Sequence, residues 1–272
     1  MELGAFTVYF YLINAREFLY KLTDSVAGGR ITPAYARIGG LARDLPQNFS
    51  SLALETLKKV EVNISDADKL LTRNRIFHDR LKGTGKISKE DAVSFAFTGP
   101  LLRAAGIPYD VRKASPYLVY ERFNFEIPIG SESDNYDRYL VRMEEMRQSI
   151  SIVRQAIKQL PNGPVNIDNP AVMLPQKNDV YSNIESVISH FKLISEGIKP
   201  PKGEVYSAVE GANGELGFYI VSDSSGRPLR LRVRPPCFYL TAGLSKMIQD
   251  QYVADIIATF GQINMIGGEL ER

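Results

Sequence analysis

Residues 98–142 read TGPLLRAAGIPYDVRKASPYLVYERFNFEIPIGSESDNYDRYLVR, a run without low complexity that holds Gly-Pro at 99–100, Asp-x-Arg-Lys at 110–113 and Asp-Arg-Tyr at 137–139. Pro100, Gly106, Pro108, Pro116 and Pro128 interrupt regular structure, so 98–133 is expected to be largely irregular. Asp134 then opens the strongest helix in the chain, reaching Leu160: Tyr136, Tyr139, Leu140, Met143, Met146, Ile150, Val153 and Ile157 form one apolar stripe, and Pro161-Asn-Gly-Pro164 ends it. An irregular segment carrying Arg103, Asp110, Arg112, Lys113, Asp137 and Arg138 must pair those charges if it is buried. We read them as ion pairs that fix loops and partner contacts rather than as proton carriers.

On the N-terminal side, Phe6, Phe10, Ile13, Phe18, Leu22 and Val26 recur at helical spacing up to Gly28-Gly29, which supplies a left-handed terminator. Residues 30–48 hold Pro33, Gly39-Gly40 and Pro46 and read as a turn-rich connection whose backbone must approach something closely. Helical patterning resumes with Ser50 or Ser51 as N-cap and runs to Leu81, with a break expected near Asn63; Ser88 caps a further short helix through Phe97. Beyond the linker 161–178, Val180 to Glu196 reads as a helix and 204–234 as a three-stranded antiparallel meander with turns at Gly211-Ala-Asn-Gly214 and Ser225-Gly226. Its last strand alternates, with Leu229, Leu231 and Val233 on one face and Arg230, Arg232 and Arg234 on the other. Two short helices, Thr241–Gln249 and Val253–Phe260, close the chain. The expected fold class is α+β, mainly helical with a small antiparallel sheet, and residues 1–272 form a single domain.

Composition narrows the chemistry. With 44% hydrophobic and 24% charged residues, 272 residues bury a substantial core. A net charge of +2 without a dense Lys/Arg run argues against nucleic acid as a partner. Cys237 is the only cysteine, so the chain can form no internal disulfide and cannot by itself hold an iron-sulfur cluster, which needs several thiolates. Zinc is poorly supplied by His78 and His190, far apart in sequence, and no metal is expected on this chain. His78 reads as a packing or capping residue, His190 as a surface residue and Cys237 as a buried small apolar group. No secretory signal pattern is visible, and Leu3 to Ile13 is too short to span a bilayer, so membrane association must come through partners. Gly39-Gly40 lacks the strand, third glycine and helix start of a dinucleotide loop and is not read as a nucleotide site.

Together with ARIGGLARDLPQNF at 36–49 and RVRPPCFYL at 232–240, the run 98–142 resembles the D subunit of proton-pumping NADH:quinone oxidoreductase, respiratory complex I, a family related to the nickel-iron hydrogenase large subunit. The likeness covers nearly the whole chain. It ends in GGELER, close to a GEVDR-like terminus, which implies a complete C-terminus; MELGAFT falls inside a family pattern L-D-x-G-A-x-T, which implies that a long N-terminal portion is missing.

The resemblance implies a hydrogenase large-subunit-like fold and a quinone pocket whose histidine and tyrosine headgroup ligands lie in that missing portion. Glu2 takes the place of the family aspartate that couples to the histidine. Two readings stand for it: a charge retained with a longer reach, or a terminal residue in water. Ile266 would line the quinone slot. Asn264 occupies a position typically held by aspartate, and an amide cannot titrate. Arg272 matches a terminal arginine near the iron-sulfur cluster of the partner B subunit, where a cation raises the cluster potential; the plain alternative is an exposed terminal side chain. Thr32 stands where the family often has a histidine beside that cluster, and it carries no pH-linked charge. The Arg230, Arg232 and Arg234 stripe reads as a subunit interface.

The function implied is a core peripheral-arm subunit in electron transfer from NADH to quinone coupled to proton translocation. It would form part of the quinone pocket and dock the B subunit, with the C subunit and the membrane arm as further partners. No catalytic residue and no isolated activity are expected, since the quinone site is shared and the cluster sits on the partner. The implied location is a peripheral membrane complex on the cytoplasmic face of the bacterial inner membrane, or the matrix side in mitochondria. The alternative is a truncated structural or assembly paralogue without quinone turnover, which Thr32, Asn264 and the late start favour. A hydrogenase-type large subunit fails on cysteine count.

Overall fold

The long helices form where the periodicity places them, while short helices arise in stretches expected to be irregular and two expected helices are each divided. A computed structural model describes residues 3–271 and is mainly helical with two small antiparallel sheets. Helix α1 (Phe6–Ala27) ends at Gly28, in the left-handed region at φ 71. Strands β1 (Ala36–Arg37) and β2 (Gly40–Leu41) form a hairpin. The close approach expected of the glycine pair is to the chain's own linker: a Cβ on Gly40, whose φ is 149, would lie 2.2 Å from Val165 O. There Leu41 N donates to Asn166 Oδ1 at 2.9 Å.

Helix α2 (Phe49–Leu71) starts after Asn48 and not after a serine, and Ser51 Oγ donates back to Asn48 O. The break expected near Asn63 falls instead before α3 (Arg75–Leu81), where Asn74 Oδ1 caps Phe77 N. Asn63 stays helical because its amide is satisfied: Nδ2 donates to Lys59 O at 2.8 Å and Oδ1 accepts from Asn14 at 3.3 Å. Helix α4 (Lys89–Ser94) has the expected Ser88 cap but stops short of Phe97, as the chain turns through Ala96 at φ 53.

The stretch 98–133 is less irregular than its prolines suggest. Pro100 sits in the first turn of α5 (Gly99–Ala104), where a missing N–H costs nothing, and Asp110 caps α6 (Val111–Ala114). Helix α7 (Asn135–Lys158) lies within the expected span 134–160, one residue shorter at its start because Asp134 is its N-cap, whose carboxylate accepts from Asp137 N at 2.8 Å. The single helix expected over 180–196 is two, α8 (Lys177–Ser182) and α9 (Ile184–Ser195), because Asn183 caps Glu185 N.

The meander forms as expected from β3 (Gly203–Gly211), β4 (Gly214–Ser222) and β5 (Arg230–Arg234), with Gly211 opposite Gly214. The next helix begins earlier than expected as α10 (Pro236–Ala242), breaks at Gly243 into α11 (Leu244–Met247), and α12 (Val253–Ile263) follows.

Cross-helix pairs give the packing directions. Asn14 meets Asn63 while Lys59 lies over the Phe18 ring, so α1 and α2 are antiparallel. Asp68 pairs with Arg147 and Glu61 with Arg154, so α7 is also antiparallel to α2 and runs with α1. One core gathers Ala15, Leu57, Val60, Ile64, Met143 and Ile150 from these three helices. A second gathers Phe97, Leu101, Leu240, Met247 and Ile263 around α5 and the C-terminal helices.

Candidate functional site

Asn264 ends α12 in the left-handed conformation, at φ 55 and ψ 49, which Asn tolerates better than most residues. Its side chain Nδ2 donates to Asn213 Oδ1 at 2.7 Å, and Asn213 Nδ2 donates back to Asn264 O at 3.1 Å. Asn213 belongs to the two-residue turn between β3 and β4 and is almost fully buried. Five residues on in sequence, Glu269 Oε2 accepts from Cys237 N at 2.8 Å. The segment 264–269 is therefore pinned at both ends while Ile266 stays 48% exposed. Cys237 is buried, and desolvation together with Glu269 pushes its thiol up to about 11, which keeps it protonated and inert.

A second polar centre is built on Arg103, which is only 2% exposed. Nε donates to Glu145 at 2.6 Å, and Nη1 to Glu210 at 2.8 Å and to Tyr109 O at 3.0 Å. Asp110 stands 3.7 Å away and holds Arg112 through a bidentate pair at 3.0 and 2.7 Å. Burial opposes ionisation of Asp110, but Arg112 and Arg103 outweigh it and hold the carboxyl below the usual range. For Glu145 burial wins over Arg103, and its carboxyl is pushed up. Nearby, burial and Glu215 push the Tyr109 phenol up to about 12.

The expected lattice is thus realised for Arg103, Asp110 and Arg112, but not for Asp137 and Arg138. Asp137 Oδ2 accepts the backbone N–H groups of Ser131 and Glu132 at 2.7 and 2.6 Å. Arg138, fully buried, donates to Asn135 Oδ1, Gly85 O and Ser133 O, and among the described residues no carboxylate lies within ion-pair reach of it. Carbonyl oxygens replace the carboxylate because the first turn of α7 and the 83–85 turn converge on that side chain. Burial pushes its guanidinium down to about 9.

Between α1, α2 and α7 lies an apolar cavity of about 690 Å³. Leu12, Leu19, Val60, Met146 and Val153 line its walls, and Arg16, Arg142, Glu145, Gln262 and Asn264 add polar groups. Arg142 reaches across to the end of α12, donating to Gln262 Oε1 at 3.0 Å and Gln262 O at 2.6 Å. The N-terminal helix and the C-terminal segment therefore meet at one concavity.

Among the residues singled out from sequence, Glu2 and Arg272 lie outside the described residues. Asn264 lines the cavity, whereas Ile266 lies on the pinned segment beyond it and Thr32 is exposed in the connection after α1. His78 packs its ring edge-on against Tyr136 at 4.9 Å as a packing residue, while His190 is half-buried on α9. The Arg stripe on β5 splits: Arg230 and Arg232 are exposed, but Arg234 donates to Ala96 O and Glu215 O and lies over the Tyr239 ring. Sequence reasoning missed Glu145, Glu210, Asn213 and Arg142. The Gly-Ala-Asn-Gly turn marks the place of Asn213, and nothing local marks the others.

Among the described residues no group of His, Cys, Asp and Glu is arranged to hold a metal ion, and no helix is long and apolar enough to cross a membrane. The chain is 51% identical over its whole length to a D subunit (D 1) of NADH-quinone oxidoreductase from Sorangium cellulosum, covering 68% of that protein. It is 53% identical to the D 2 counterpart from Anaeromyxobacter sp. (strain K), covering 63%, and 45% identical to a C/D subunit from Bdellovibrio bacteriovorus, covering 49%. The chain thus spans about two thirds of the length of the D-type relatives it matches. The model of the family described as respiratory-chain NADH dehydrogenase, 49 Kd subunit, a family related to the hydrogenase large-subunit fold, matches residues 2–272, and the chain belongs to that family.

Proposed function

We propose that this chain is a core subunit of a complex I type NADH:quinone oxidoreductase and supplies one wall of its quinone pocket. It would dock the cluster-bearing B subunit and work beside the C subunit and the membrane arm, on the cytoplasmic face of a bacterial membrane. A quinone headgroup is reduced at the end of an apolar slot, where electrons arrive from a nearby cluster and protons from ionisable groups. This chain's part is orientation and electrostatics.

The observation that carries the reading is the pinned segment 264–269, which holds the apolar Ile266 half-exposed on a backbone locked by Asn213 and Cys237. A wall held rigid yet left uncovered suits a cavity completed by other surfaces. In this reading Glu2 and Ile266 flank the quinone, while Thr32, Asn264 and Arg272 face the partner's cluster. The cluster, when bound by the B subunit, supplies electrons one at a time. The likeness to D subunits of NADH-quinone oxidoreductase extends over the whole chain and supports the assignment of the assembly.

Photolabelling of the purified assembly with an azido-quinone tests this, with label expected on the peptide containing Ile266 and diminished by Ile266→Asp. Label confined to other subunits would remove the pocket assignment. The second reading, a structural subunit without turnover, is favoured by Asn264, whose amide is committed to Asn213 and carries no charge. It predicts an assembly that forms normally and does not reduce quinone.

A further inference from the structure

We infer that a row of polar bonds on the inner side of α12 sets the rotation of that helix, and that Thr259 with its partner Asn135 is thereby a positioning pair for the segment 264–269. The setting of the helix stands on packing alone; its consequence for quinone rests on the reading proposed above.

Helix α12 keeps its largest apolar stripe outside. Val253, Ile257 and Phe260 recur at four- and three-residue steps, the spacing that burial turns inward, yet they are 82%, 58% and 39% exposed. Asp255, Thr259 and Gln262 recur at the same steps and face the protein, the first two buried and the third half-buried. The two stripes start two residues apart, about 200° around a helix of 3.6 residues per turn, so they lie on opposite sides. Ala258 and Ile263, with Ile256 half-buried, are the apolar residues turned inward, and they carry less apolar side chain than the stripe left outside. Apolar burial therefore does not account for this setting.

Polar bonds do. Arg80 Nη2 donates to Ala254 O at 3.1 Å and to Asp255 Oδ1 at 3.5 Å. One turn on, Asn135 Nδ2 donates to Thr259 Oγ1 at 3.0 Å between two side chains that are both fully buried. Arg142 closes the row with its two bonds to Gln262. The middle bond is the most enclosed. Asn135 Oδ1 accepts from Arg138 at 2.7 Å and its Nδ2 also donates to Thr84 Oγ1 at 2.9 Å, while a Cβ on Gly85, whose φ is 61, would lie 2.9 Å from Thr259 Oγ1. A buried polar group is costly without its partner, so turning α12 would strand Asn135 and Thr259 together. Asn264 then ends the helix and opens the segment that carries Ile266, so the rotation of α12 fixes where that segment departs.

A thiol on the outer stripe reports the setting. Ile257→Cys in the whole chain provides one, since Cys237, the other cysteine, is buried, and its rate of maleimide labelling is measured. Asn135→Ala with Arg142→Met leaves Thr259 and Gln262 inside without their side-chain donors, and labelling should slow roughly tenfold as the stripe turns inward. Phe260→Glu added to that pair should restore the rate, because a charge resists being turned inward. Thr259→Ser, which keeps the hydroxyl, should label like the parent. An unchanged rate in the Asn135→Ala, Arg142→Met pair overturns the inference. So does a faster one, which would mean that the bonds hold the fold and not the rotation. In the purified assembly the same pair of substitutions should raise the KM for a short-chain quinone roughly tenfold with kcat kept. Slowed labelling with an unmoved KM, while azido-quinone still marks the Ile266 peptide, overturns the positioning role and leaves the quinone reading in place. Absence of that mark from the unaltered assembly removes the quinone reading and the positioning role with it, and the labelling rates then decide the setting of α12 by themselves.

Discussion

Replacing Arg103 by Met removes a cation that is 2% exposed and touches Glu145 at 2.6 Å, Glu210 at 2.8 Å and Asp110 at 3.7 Å. Methionine keeps much of the length of the side chain, so the loss is electrostatic rather than a cavity. Breaking a buried pair on one side strands the other charge at about 3–5 kcal/mol. Arg112 remains on Asp110, so Glu145 and Glu210 bear the loss. We expect Arg103→Met to lower unfolding free energy by about 3–5 kcal/mol in urea titrations followed by circular dichroism.

Glu210→Gln retains an acceptor for Val111 N but removes the charge. The double variant should therefore be less destabilised than the sum of the singles by about 1–3 kcal/mol. pH gives an independent sign. Burial already pushes the Glu145 carboxyl up against the pull of Arg103, and removing Arg103 pushes it further. A raised carboxyl is least costly below its unfolded value of 4.5 and costs stability as pH rises through the folded value. The Arg103→Met penalty should accordingly shrink between pH 7 and pH 4. A penalty under about 1 kcal/mol at pH 7, or strict additivity of the two substitutions, would refute the idea of a charge-compensated centre.

Asn264→Ala should cost about 1–3 kcal/mol, the sum of left-handed backbone strain and the lost Asn213 hydrogen bond, whereas Asn264→Gly recovers only the backbone part; comparing their melting curves separates the two. At Gly40, whose φ is 149 and whose Cβ would lie 2.2 Å from Val165 O, alanine should release the linker from the β1–β2 hairpin. The readout is faster proteolytic cleavage within 161–176, and an unchanged cleavage rate would count against the linker's being held by this contact.

The large helices were legible because their signals are local. The Gly28 terminator of α1, the Ser88 start of α4 and the Gly211–Gly214 turn each need only a few consecutive residues, and each is found at its expected place, as is the long helix α7 to within two residues at either end. Helix ends were less legible because an amide or a proline has more than one use. Asn63 is satisfied inside α2 instead of breaking it, Pro100 starts a helix instead of preventing one, and Asn183 divides one periodic run into two.

By itself the sequence determined the mainly helical class, the meander, the family likeness and which charges had to be compensated. Only the tertiary structure decided how. Arg103 finds Glu145 and Glu210, 42 and 107 residues away, and Asn264 finds Asn213 at a separation of 51, while Arg138 settles on backbone carbonyls in place of a carboxylate. Caps, turns and periodic stripes act over a few residues and leave a local record. Partners across the fold are chosen by how helices pack, and a linear pattern carries no record of that distance.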